Sequence, residues 1–82
     1  MDAKRVGRRI KAFRKLKGYT QIDFAKELDV SIAQIGNIER GTKQPSDEFL
    51  ELIAKKLSVA KDEITMASHA IPIGNEESKK KE

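Results

Sequence analysis

The sequence holds no cysteine, and its one histidine is His69. Without cysteine there is no disulfide frame and no thiolate metal site, and a lone imidazole cannot hold a metal by itself. No apolar run approaches the roughly 20 residues of a membrane span, and the first residues lack the apolar core of a secretory signal. The expected location is therefore the cytoplasm. There is no Ser/His/Asp set, no glycine-rich phosphate loop and no cluster of metal-ligating side chains, so neither an enzyme nor a cofactor is expected. Internal repeats are absent as well.

What is present is charge, and its placement is uneven. Charged residues make up 37% of the 82 residues, against 38% hydrophobic, which suits one small helical domain with a solvated surface. Residues 1–17 hold eight Lys/Arg against one Asp, whereas residues 18–45 hold three against four and residues 46–67 three against five. The net +4 therefore gathers on the first helical segment. Such a cluster is either a solvated helix face or an attractor of phosphates. Arg8, Arg9 and Lys11 are expected in solvent.

Periodicity predicts helices over about 4–17, 21–28, 32–40, from Ser46 to about Leu57, and from Lys61 to about Ser68. Val6, Ile10 and Phe13, with Leu16, form the first apolar stripe. Gly18 ends that helix, and Tyr19 is placed to pack on the first turn of the next. Thr20, Ser31 and Ser46 are N-caps, and Ser31 with Gln34 fits a capping box. Gly7 inside the first helix implies close packing, and Asp29 stands where a positive φ is expected. Phe49, Leu52, Ile53, Ala54 and Leu57 are the expected inner face of the fourth helix. Ile64 and Ala67 point inward from the fifth. From Ala70 the helical period stops, so residues 1–68 read as one domain and 69–82 as a tail, partly apolar and then disordered.

The segment from Gln21 to Arg40 organises the rest. It reads as two short helices crossing at Ala25, joined by a tight turn. On the second, Ile35 and Ile38 face the core, while Ile32, Ala33, Gly36, Asn37 and Arg40 face away. The outward set is short and mixes apolar, amide and guanidinium groups, a surface suited to close approach to base edges.

These residues resemble the Cro/repressor (XRE-type) helix-turn-helix domains. The resemblance runs from about Val6 to Ile64. It is carried by Gly18-Tyr19-Thr20-Gln21, Phe24-Ala25-Lys26-Glu27-Leu28, Val30-Ser31, Ile38-Glu39-Arg40-Gly41 and Gln44-Pro45-Ser46. Asp29 and Ser58 depart from it, because both stand where the family commonly has glycine. The resemblance implies an all-α, lambda-repressor-like bundle of four to five helices. It also implies that Gln21 contacts a phosphate, that Ile32, Ala33 and Asn37 face base edges with Gln34 beside them, and that Arg14 pairs with Glu39.

The expected function is sequence-specific binding to duplex DNA as a small transcriptional regulator, more often a repressor, associated with the nucleoid. Helix 32–40 would lie in the major groove. Asn37 suits adenine or is a solvated amide. Ile32 and Ala33 suit thymine methyls, and Gln34 serves either its cap or a base. Arg40 is a phosphate or groove contact or a solvated helix end, and Lys43 lies where its loop reaches the backbone. A homodimer on an inverted repeat is expected, joined through helix five and the Ala70–Ile73 segment with Ile64, Met66, Ile71 and Ile73 as its apolar surface. Two other readings stay open. One is an antitoxin or restriction–modification controller acting on its own operon; the other is a protein-binding adaptor on the same fold.

Overall fold

Short polar residues set the helix starts, and one repeated backbone turn sets the ends. The computed structural model describes residues 2–65. Its helices are α1 (Ala3–Leu16), α2 (Gln21–Leu28), α3 (Ile32–Arg40), α4 (Asp47–Leu57) and α5 (Lys61–Thr65). The expected positions beyond Thr65 lie outside the described residues: the end of helix five, His69, the Ala70–Ile73 segment and the tail.

Each of the first four helices has its cap. The Asp2 carboxylate accepts the Lys4 and Arg5 N–H groups. Thr20 Oγ1 accepts from Asp23, Ser31 Oγ from Gln34 and Ser46 Oγ from Phe49. Such caps contribute about 1 kcal/mol each. Gln34 Oε1 in turn accepts the Ser31 N–H at 3.2 Å, completing the capping box.

The same four helices close on left-handed residues: Gly18 (φ 86°), Asp29 (58°), Gly41 (80°) and Ser58 (59°). After each, the next N–H reaches back five residues, Tyr19 to Arg14, Val30 to Ala25, Thr42 to Asn37 and Val59 to Ala54. This pattern satisfies carbonyls that a helix end leaves open. Tyr19, Val30 and Val59 then fold onto the core. The Tyr19 ring lies 5.4 Å from that of Phe24, stapling the entry to α2.

The core gathers Val6, Ile10 and Phe13 of α1, Phe24, Ala25 and Leu28 of α2, and Ile35 and Ile38 of α3. Leu50, Ile53, Ala54 and Leu57 of α4 and Ile64 of α5 complete it. Gly7 is required where α1 crosses α3, since a Cβ there would stand 2.6 Å from the Glu39 carbonyl oxygen, with the Ile38 carbonyl closer still.

Helix phase corrects four expectations. Leu16 lies about 80° from the centre of the α1 stripe, at the helix end, and is 51% exposed. Arg9, about 60° from that centre, is buried instead of solvated, and its Nη1 donates to the Glu63 carbonyl at 3.0 Å. Burial, and then the charge of Arg5, lower the Arg9 pKa from its ordinary value. In α4 the inward set is Leu50, Ile53, Ala54 and Leu57, an i, i+3, i+4, i+7 stripe. Leu52 points away and is exposed, and Phe49 sits at the edge. Ile64 is fully buried in the protein's own core, as its expected inward place on helix five requires, and so is not available for the dimer contact also expected of it. α5 is further held by Lys61, whose ammonium reaches Asp47 and Glu51. The hydrogen bond to Asp47 is the main cause of its raised pKa.

Candidate nucleic-acid interface

α3 is anchored from below by ions. Arg14 Nε donates to Glu39 Oε2 at 2.5 Å and Nη2 to Oε1 at 3.1 Å, a two-point pair between α1 and α3. Nη1 donates to the Tyr19 carbonyl at 2.8 Å, so every nitrogen of the guanidinium is used. Both residues are buried. A carboxylate near a surface meant for phosphate would repel it, but Glu39 is turned inward and neutralised. The expected Arg14–Glu39 pair is thus present. It fixes the roll of α3 about its axis.

Gln21 joins the same cluster. Its Nε2 donates to Glu39 Oε1 at 3.0 Å, which the sequence reading did not anticipate. One N–H of the amide is committed inside, and the other remains for a ligand. Ile22, which had no clear inward direction, is exposed. It lines a shallow groove with Ile32, Tyr19 and Lys15 at the junction of α1, α2 and α3.

The outward face of α3 is as expected in its N-terminal turn, where Ile32 and Ala33 are exposed. Gln34 is half-buried, with its Oε1 held by the cap. Asn37 is also half-buried and is not a free amide. Arg40 Nη2 donates to Asn37 Oδ1 at 2.6 Å. Thr42, absent from the expected site, donates its hydroxyl to the Asn37 carbonyl at 3.1 Å and stands 3.4 Å from Oδ1. Lys43 follows on the exposed loop, its backbone N–H 3.3 Å from the same Asn37 carbonyl oxygen. Ile32, Ala33, Asn37 and Arg40 therefore share one surface. Lys43 stands past the C-terminal end of α3, and Gln21 opens α2 beside it. The signal for the Arg40–Asn37 contact was the i, i+3 spacing together with the bare Cα of Gly36.

α3 thus keeps one face toward solvent over a buried ion pair. A helix-turn-helix family model matches residues 10–64. The chain belongs to the XRE-type helix-turn-helix family. Among XRE-type relatives, it is 50% identical over 64 residues to the uncharacterised HTH-type transcriptional regulator YazB of Bacillus subtilis, covering 78% of this chain and 93% of that one. It is 38% identical to the HTH-type transcriptional regulator SinR of Bacillus subtilis over 67% of this chain, and it spans only half of SinR. The fold is similar to that of the biofilm regulator SinR in complex with DNA, with a TM-score of 0.68 and 35% identity over 72% of this chain and 95% of that one. No helix among the described residues is long and apolar enough to cross a membrane.

Proposed function

We propose that this protein represses transcription by binding a specific duplex DNA sequence with α3 in the major groove. The observation that carries the reading is the exposed face of Ile32, Ala33, Asn37 and Arg40, held in fixed roll by the buried Arg14–Glu39 pair. Ile32 and Ala33 enter the groove first and meet thymine methyls, while Asn37 and Arg40 face base edges deeper along the helix. Phosphates are gripped at the flanks by the free N–H of Gln21 and by Lys43. Gln34 supports the first turn through its cap.

The function is binding, with no catalytic step. One α3 reads only a few base pairs, too few for useful selectivity in a genome. Two copies on an inverted repeat, with half-sites about 10 base pairs apart, supply the rest. Since Ile64 is spent in the core, the described part of α5 adds no apolar surface to that dimer. The test is selection of bound sites from random duplex DNA, followed by sedimentation of the complex. An enriched inverted repeat holding two protomers supports the reading. Absence of any enriched sequence overturns it, and one protomer on a non-palindromic site overturns the dimer.

A further inference from the structure

The placement of Arg40 bears on which base α3 reads. Side chains on a helix lean toward its N-terminus, so Arg40 reaches back along the outer face instead of out past Gly41. Its guanidinium lies over Gly36, where the three atoms nearest an added Cβ would be Nη1 at 3.0 Å and Cζ and Nη2 at 3.7 Å. From there Nη2 donates to Asn37 Oδ1 at 2.6 Å. The bare Cα of Gly36 is thus a lane that carries a cation one turn deeper into the reading face.

The contact changes what Asn37 can offer. To pair with adenine, an asparagine must accept from N6 with its carbonyl and donate to N7 with its amide. Here the side-chain carbonyl oxygen accepts from Arg40 Nη2 and faces the Thr42 hydroxyl at 3.4 Å, so both its lone pairs are engaged and Asn37 presents only its N–H groups, beside the remaining N–H groups of the guanidinium. Two neighbouring donors match guanine, which alone shows two acceptors, N7 and O6, on its major-groove edge. We propose that Arg40, laid across Gly36 onto Asn37, forms with it one donor-only unit that specifies guanine. The proposal rests on the DNA-binding reading above and names the base within it.

The test measures wild type, Arg40→Ala, Asn37→Ala, the double variant and Gly36→Ala on the selected site and on each of its single-base variants. Wild type should prefer guanine at one step per half-site by about five- to a hundredfold. Each single variant should lose that preference, and the double variant should be no worse, because the two side chains act together. Arg40→Ala also frees one lone pair of the Asn37 side-chain oxygen, enough to accept from adenine N6, so the preference at that step should turn toward adenine. Gly36→Ala displaces the guanidinium and should weaken the guanine preference while the protein stays folded. Adenine preferred by wild type, or an Arg40→Ala loss equal on every variant, overturns the unit while leaving DNA binding intact. If wild type enriches no duplex at all, the DNA reading fails and this proposal fails with it.

Discussion

Two glycines in helix interiors should respond in opposite directions to the same substitution. At Gly7, an alanine Cβ would stand 2.6 Å from the Glu39 carbonyl oxygen and closer still to that of Ile38. Both obstacles are backbone, so α1 and α3 must part by about 1 Å, at a cost of about 1–3 kcal/mol. The same shift pulls at the buried Arg14–Glu39 pair, which places the cost at the upper end. Alanine regains about 1 kcal/mol of helix propensity, leaving a net loss near 2 kcal/mol. For a domain of this size 1 kcal/mol moves Tm by about 4–8 °C, so Gly7→Ala should melt roughly 8–16 °C lower. At Gly36 the only obstacle is the mobile end of Arg40. There the propensity gain of about 1 kcal/mol stands nearly alone, and Gly36→Ala should melt roughly 4–8 °C higher. Thermal unfolding by circular dichroism, with urea midpoints at equal m, reads both. A Gly7→Ala variant as stable as wild type, or a Gly36→Ala variant that falls with it, would refute the packing argument.

Glu39→Gln leaves Arg14 buried beside a neutral amide and should cost about 3 kcal/mol, while Arg14→Met added to it should recover part of the loss; a double-mutant cycle in thermal unfolding with no coupling would exclude the pair. Ser58→Gly relieves a left-handed non-glycine residue (φ 59°) and should raise stability by about 0.5–1 kcal/mol, measured by urea unfolding. Affinity for the selected duplex should fall steeply between low and physiological salt, and Lys43→Ala should reduce the log–log slope by about one while weakening all sequences alike.

Most of the helix boundaries were legible because their punctuation is local. Thr20, Ser31 and Ser46 cap within three residues, and Gly18 and Gly41 take the left-handed turn at the expected places. Asp29 does the same without being glycine. The Arg14–Glu39 pair came from family resemblance, since twenty-five residues separate the partners. What failed was helix phase at the margins. Leu52 is as apolar as Leu50, and only the positions of neighbouring helices decide which of them is covered. Arg9 looked like surface because it is charged, yet its place near the α1 stripe buries it against α5. At the site, the outward face of α3 could be read, but the Asn37–Arg40 spacing was not followed to their hydrogen bond. Composition does not reveal that Gln21 spends an N–H on Glu39, or that Arg40 turns back onto Asn37.

The central claim is that duplex DNA is read by the face built from α3 and the start of α2. Amide chemical shifts of labelled protein, recorded while the selected duplex is added, test it most directly. The expected result is perturbation at Gln21, at Ile32 through Asn37, at Arg40 and at Lys43, with Glu51, Leu52 and the rest of the outer face of α4 left unchanged. Shifts gathered on α4 and α5, with α3 unmoved, would contradict it.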